Sequence, residues 1–306
     1  MKRVILSIAI LLGVLSLLLL LIVIKVSDIK MAGQSRQPEA EIHYENKVIV
    51  LLYHDVQEPD AAGMPRLLTV TPHQFEAHLK ALKDHSYQII SMEDYVRFAR
   101  QGKPVPPNAV VLTFDDGYES FYTRAYPILQ KHGVPASNFV IGAPTDTRDP
   151  KKGQYLTWNQ MRELILAGHG IYSHTYDSHC MVDTAPEGPE QPALTHPAYL
   201  AQSKQPESAE EFRKRILSDL TLMNERLRTE LGDRSKLLAF PYGAYNKETL
   251  QAAEEAGIEL LFTTREGINT AADRLVHRID AGEPYITADA LIATIRKYHQ
   301  TNESNL

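Results

Sequence analysis

Residues 109–117 read Ala-Val-Val-Leu-Thr-Phe-Asp-Asp-Gly, an apolar run closed by two adjacent carboxylates, Asp115 and Asp116, and a glycine. An apolar run of this length that ends at a turn signal reads as a buried strand. Two carboxylates held about 4 Å apart repel by roughly 4 kcal/mol at an effective dielectric near 20, so a fold that builds such a pair usually holds a cation or a shared proton. An isolated Asp-Asp-Gly is most often a solvated turn. The whole pentamer, Thr113 to Gly117, turns up by chance in a chain of this length on the order of once in ten thousand sequences, and here it closes a strand.

Outward from this strand, strand-like runs alternate with helical patterns. Strands are expected at 48–53, 87–90, 136–141, 170–173, 236–240, 260–263 and 275–279. Helices are expected at 71–84, opened by Thr71-Pro72, and at 91–100, 120–132, 157–167, 210–231, 247–256 and 288–298. Repeated β-then-α units imply a parallel sheet, and seven or eight in one domain predict an α/β fold of the distorted (β/α)7-8 barrel type, with an open doubly wound sheet as the alternative. Residues 182–205, rich in Pro, Glu, Gln and Ala, are too long for a simple connection and read as a functional lid or a mobile excursion.

The N-terminus carries a different signal. From Val4 to Ile24 the chain is Ile, Leu, Val and Ala with one Gly and two Ser, about the 20 residues that cross a bilayer core. Lys2 and Arg3 precede it, and Lys25 to Lys30 shows no convincing small-x-small cleavage site. The expected organisation is a transmembrane anchor at 1–26, a flexible linker at 27–46, one large domain at 47–300 and a tail at 301–306. This predicts a single-pass membrane protein with its catalytic domain outside the cell, or a secreted one if the segment is cleaved. The 306 residues hold 32 basic and 38 acidic side chains, a net charge of −6 with no basic run, which argues against nucleic acid as a partner. The single cysteine, Cys180, excludes an internal disulfide framework.

Four polar clusters directly follow predicted strands: Tyr53-His54-Asp55, Asp115-Asp116-Gly117, His174 through His179, and Pro241-Tyr242-Gly243. In a parallel barrel all strand C-termini open on one face, so these segments would meet in one pocket. With 12 histidines, a pair at any given separation arises roughly half a time by chance, and a lone His is more often a hydrogen-bonded surface or core group. At a strand end, however, His174 and His179 with Asp116 form a set of two histidines and one carboxylate with open positions, the pattern of a catalytic metal site. Their five-residue spacing does not fit one helix face, so a loop must present them. Asp115 would be the general base toward water, and His54 the acid toward a leaving amine unless it merely caps a strand end. The Tyr242 backbone N–H would donate to an oxyanion, with Pro241 and Gly243 shaping the turn, unless this is an ordinary Pro-x-Gly connection.

With these motifs the chain resembles the polysaccharide deacetylase (NodB homology) family, whose Thr-Phe-Asp-Asp-Gly, paired-histidine and Pro-Tyr-Gly motifs span roughly 48–279 here. The five-residue His gap, with Tyr53-His54 ahead of the first motif, resembles the subgroup acting on poly-β-1,6-N-acetylglucosamine, the intercellular adhesin of biofilms, in which the barrel looks circularly permuted. The resemblance implies Asp115 as base, Asp116, His174 and His179 as ligands of Zn2+ or of Co2+, Ni2+ or Fe2+, and His54 as acid. It also implies an extracellular amino-sugar polysaccharide as partner, with biosynthetic or export machinery nearby. One departure stands out: many members place an Arg two residues before the Pro of the third motif to tune the base, and here that position is Ala239. Either Arg278 substitutes or the base is untuned. Asp280 is a candidate to orient His54, as are Asn108 and Asp55. Peptidoglycan or chitin oligosaccharide is the alternative substrate, and a catalytically silent polysaccharide-binding module is the alternative class.

Overall fold

The computed structural model describes residues 16, 18–20, 22, 25, 41–59, 64, 66–147, 154–233 and 236–299. The chain forms two compact units, Met1–Glu41 and Ile42–Leu306. The expected anchor lies almost entirely, and the expected tail wholly, outside the described residues, and among the described residues no helix is long and apolar enough to cross a membrane. The larger unit reaches back into the stretch expected as linker. The His43 and Tyr44 N–H groups donate to Asn108 Oδ1 at 2.7 and 3.2 Å, and the buried Tyr44 hydroxyl donates to the Ala109 carbonyl at 2.9 Å.

Nine strands form the main sheet: β1 (Val48–Tyr53), β2 (Gln88–Ile89), β3 (Ala109–Phe114), β4 (Ser137–Val140), β5 (Gly170–Ser173), β6 (Leu237–Ala239), β7 (Leu260–Phe262), β8 (Leu275–Val276) and β9 (Ile279–Asp280). Their order is β8-β7-β6-β5-β4-β3-β1-β9, with β2 also paired to β3, and every pairing is parallel. Eight α-helices are described: α1 (Pro72–Asp84), α2 (Met92–Gln101), α3 (Tyr126–His132), α4 (Gly142–Thr147), α5 (Trp158–Leu166), α6 (Ala209–Leu231), α7 (Lys247–Glu255) and α8 (Ala288–Lys297). Six of them, α1, α2, α5, α6, α7 and α8, begin on a Ser, Thr or Asn whose side chain accepts a backbone N–H of the first turn. A π-helical turn, Phe121–Ala125, leads into α3.

Both faces of β1 and β3 are buried. Val48, Val50, Ala109 and Val111 pack inward with Phe139, Tyr172 and Phe262. Ile49, Leu51, Val110 and Leu112 pack outward with Phe75, Leu79 and Leu82 of α1 and Leu291, Ile292 and Ile295 of α8. Each such aliphatic or aromatic side chain stabilises the fold by about 1.5–3 kcal/mol on full burial. The strict two-residue alternation decides where the carboxylates go. Ala109 and Val111 face inward, so Asp115, two steps of two further on, continues that side at the mouth.

The expected strand at 275–279 is broken. β8 pairs with β7 and β9 with β1, at opposite ends of the sheet, and only His277 and Arg278 lie between them. Asn269 stabilises the break by accepting the His277 N–H at 2.7 Å and donating to the His277 carbonyl at 2.9 Å. The result is a parallel-strand α/β half-barrel whose two edges are joined by the chain itself rather than by a hydrogen-bonded strand pair. This corrects the expectation of a single strand there, because side-chain bonds replaced the ladder.

The 182–205 stretch is folded. Met181–Asp183 pairs antiparallel with Glu190–Pro192, and Tyr199–Leu200 with Gln205–Pro206. Arg215 of α6 pins it, donating to the Ala193 and His196 carbonyls and pairing with Glu207, while Leu194 is buried against α6 and α7.

Candidate active site

The register of β1 on β3 builds the first half of the site. Tyr53 pairs with Phe114, and the Asp115 N–H donates to the Tyr53 carbonyl at 2.9 Å, so the residues after the two strands, His54 and Asp115, emerge side by side. Three strand ends then turn through left-handed backbone: Asp116 (φ 75°) after β3, Thr175 (φ 71°) after β5 and Tyr242 (φ 58°) after β6. For non-glycine residues such conformations cost about 1–3 kcal/mol each and persist where packing enforces them. These turns stand at a common cleft of about 300 Å³ lined by His54, Asp115, Asp116, His174, His179, Tyr242, Gly243, Arg278 and Asp280 among others.

Asp116 Oδ1 lies 3.4 Å from His174 Nε2 and 3.2 Å from His179 Nε2. It is buried yet has no hydrogen-bond partner. The His174 Nδ1 sits 2.8 Å from the Ala239 carbonyl, so that nitrogen carries the proton and Nε2 offers a lone pair. Three donor atoms within 4.8 Å of one another, an orphaned carboxylate oxygen and a fixed tautomer make a set that fits a divalent ion. Burial works to raise the Asp116 carboxyl, but the two imidazoles outweigh it and hold it well below the usual range.

Asp115 lines the same cleft and is held by a cationic side chain. Arg278, wholly buried, grips both its oxygens, Nη1 to Oδ1 at 2.7 Å and Nη2 to Oδ2 at 2.8 Å, and donates its Nε–H to the Thr263 carbonyl at 2.8 Å. Burial alone would raise the Asp115 carboxyl; Arg278, with His174 and His54, overcomes it and the net shift is downward. Arg278 therefore pairs with the Asp115 carboxylate, which Ala239 could not do, and the break between β8 and β9 delivers it.

His54 lines the cleft, and its buried Nδ1 has no hydrogen-bond partner. None of the carboxylates or amides expected to orient it does so. Asp280 shares the cleft but accepts the Gly282 N–H at 2.9 Å; Asp55 accepts the Ser120 hydroxyl at 2.5 Å; Asn108 is engaged at the opposite end of β3. Burial, with Glu283 and Glu266 nearby, pushes the Asp280 carboxyl up.

Pro241–Gly243 forms a 3-10 turn. The Gly243 and Ala244 N–H groups close it on the Phe240 and Pro241 carbonyls at 2.9 and 3.0 Å, leaving the Tyr242 N–H outside the turn's own bonds. The Tyr242 ring packs 4.7 Å from that of His179 and is half exposed, walling the cleft. Gly243 is required here: at φ 64° a Cβ would stand 2.0 Å from Thr264 Oγ1. The structure adds lining residues that the motifs did not flag, Leu68, Thr264 and Glu266, and none of the cleft-lining residues comes from 182–205. A signal for Thr264 and Glu266 existed in their position just after β7; Leu68, in a long loop, had none.

The sequence and the arrangement of strands have counterparts in known proteins. The chain is 32% identical over 238 residues to the poly-β-1,6-N-acetyl-D-glucosamine N-deacetylase of Escherichia coli (strain K12), covering 74% of this chain and 35% of that protein, so it spans about a third of the relative's length. Among solved structures it superposes on a de-N-acetylase from Aggregatibacter actinomycetemcomitans with a TM-score of 0.73 at 26% identity, covering 81% of this chain and 99% of that one. The deacetylase domain of BpsB from Bordetella bronchiseptica gives 0.66 at 29% identity, covering 79% and 98%. Residues 102–261 match the family model described as polysaccharide deacetylase, and with more than half its length so matched the chain belongs to the polysaccharide deacetylase family.

Proposed function

We propose that this chain is a metal-dependent hydrolase that removes N-acetyl groups from an extracellular N-acetylglucosamine polymer, with poly-β-1,6-N-acetylglucosamine of biofilm matrix as that polymer. The observation that carries the reading is the convergence of an Arg-held carboxylate, a trio of two histidines and one carboxylate, and a third histidine on one cleft. The similarity to the poly-β-1,6-N-acetyl-D-glucosamine N-deacetylase of E. coli supports the β-1,6 polymer.

Asp116, His174 and His179 would hold the ion, Zn2+ or another of its type. Bound there, it supplies Lewis acidity toward the amide oxygen and lowers the pKa of water. Asp115 takes the proton of the attacking water, and Arg278 keeps that carboxylate charged and fixed in orientation. The Tyr242 N–H donates to the oxygen that gains charge as the amide carbon becomes tetrahedral. His54 delivers a proton to the nitrogen as the C–N bond breaks, releasing acetate and a free amine. Most such amines are protonated near neutral pH, so a neutral polymer becomes a polycation.

The apolar stretch from Val4 to Ile24 supports a single-pass anchor with the domain outside the cell, beside the machinery that makes or exports the polymer. The place of His54 on the first strand supports a circularly permuted barrel. Acetate release from β-1,6 and β-1,4 oligomers, each with and without a chelator, tests the reading. Release from β-1,6 chains that stops on chelation is expected. Metal-independent release, or none from either linkage, refutes it, and a preference for β-1,4 chains reassigns the substrate to peptidoglycan or chitin oligosaccharides.

A further inference from the structure

His174 and His179 sit on a loop, and a loop must be held in one shape for two of its imidazoles to keep a fixed separation. The backbone of 175–178 has few ways to achieve this by itself. The Thr175 N–H is taken by the Ser173 hydroxyl at 3.1 Å, and the Thr175 and Tyr176 carbonyls accept from the Gly142 and Ala143 N–H groups at 3.1 and 2.7 Å. That leaves the next two N–H groups, those of Tyr176 and Asp177. Both point at one carboxylate: Asp219 Oδ1 accepts from Tyr176 at 2.9 Å and Oδ2 from Asp177 at 2.8 Å, with the Ser178 side chain bonded to the same group.

Asp219 comes from α6, whose Phe212, Ile216, Leu220 and Met223 are buried, so its position is set by the core and not by the loop. Gly142, at the start of α4, admits the Tyr176 ring; a Cβ there would meet the ring at 2.5 Å and Met223 Sδ at 2.8 Å. A rigid helix thus grips the middle of the loop whose two ends carry the imidazoles. We propose that Asp219 is a positioning residue for the metal site, its two carboxylate oxygens fixing the turn that sets His174 and His179 in register. The inference rests on the assignment of those histidines as ligands, made under Proposed function.

Only a carboxylate offers acceptors to both N–H groups in this geometry. In Asp219→Asn one of them would face an NH2 group and lose its bond. Groups that orient metal ligands from behind typically change metal affinity about 10- to 100-fold when replaced. The test is titration of Co2+ into metal-free full-length protein by calorimetry, with the Co2+ absorption spectrum as second readout and thermal unfolding of the metal-free protein as control. A comparison variant, Asp146→Asn, disturbs the Tyr176 hydroxyl contact at 3.3 Å and the Arg226 and Trp158 bonds without touching the loop's N–H groups.

Asp219→Asn is expected to weaken Co2+ binding about 10- to 100-fold and to alter the spectrum. Asp146→Asn is expected to lower thermal stability while keeping affinity within about threefold, the kind of surface-to-core network loss that leaves a separate site intact. Affinity of Asp219→Asn within about twofold of the parent, with the same spectrum, overturns the proposal, as does an equal loss in Asp146→Asn, since general destabilisation would then account for both. Should Asp219→Asn not fold, Asp219→Ser, with a single short acceptor, carries the same criterion. Failure of the parent protein to bind Co2+ at all would instead refute the ligand assignment, a distinguishable result.

Discussion

Replacing Arg278 with Met keeps much of the side-chain volume but removes the guanidinium from Asp115. In the parent the pair is closed by two charge-assisted hydrogen bonds of 2.7 and 2.8 Å between side chains 0% and 3% exposed. Breaking a buried pair from one side costs about 3–5 kcal/mol, because the remaining charge is left without compensation. The carboxyl escapes part of that cost by taking up a proton, which makes the loss depend on pH. In the parent its value lies below that of the unfolded chain, so its contribution is full above about pH 4, the unfolded value, and declines as the pH falls toward the folded one. In the variant, burial prevails and the folded value rises above the unfolded one. The folded variant then binds protons more readily than the unfolded chain and recovers stability as the pH falls from its new value to the unfolded one, by about 1.36 kcal/mol per unit in that window. Urea unfolding of chelated protein at pH 7 and pH 4.5 should therefore show a deficit of about 3–5 kcal/mol that shrinks in acid. A deficit below about 1 kcal/mol at pH 7, or one as large at pH 4.5, would refute the reasoning.

Three further outcomes are expected. Asp115→Asn should lower kcat for acetate release about 10²- to 10⁴-fold, the usual worth of a positioned base, while metal content stays at the parent level; loss of the metal instead would make Asp115 a ligand. Gly243→Ala should destabilise the protein by about 1–3 kcal/mol through the clash with Thr264 and raise KM as Tyr242 shifts, measured by thermal unfolding and steady-state kinetics. Thr157→Ala removes the cap of α5, where the side chain accepts the Gln160 N–H, and should cost about 1 kcal/mol with activity unchanged; an effect on kcat would couple that helix to the site.

The strands and helices were legible because their signals were local. The unbroken apolar runs of β1 and β3, and the Thr71-Pro72 pair, each announce an element without tertiary help. The donor trio was legible because Asp116, His174 and His179 all follow strands that a parallel sheet opens on one face. The break at His277 and Arg278 was not, since 275–279 reads as one strand and its interruption depends on Asn269, eight residues away in sequence from His277. The choice among partners for His54 was not legible for a similar reason: Asp55, Asn108 and Asp280 all have suitable chemistry, and only the fold reveals that Asp55 and Asn108 are engaged elsewhere while Asp280 shares the cleft with His54. Asp219 carried no signal, as a lone acid on a helix says nothing about which loop lies above it.

The arginine that neutralises Asp115 comes from the seam where the two edges of the half-barrel meet, and not from a strand beside it. Any disturbance that parts this seam, in the Asn269 clasp or in the short pairing of β9 with β1, moves the guanidinium before it moves the carboxylate. Damage there should register as altered acid–base behaviour at a centre whose own residues are all intact. The join between the two edges of the half-barrel is thus also the one that supplies the charge beside its carboxylate.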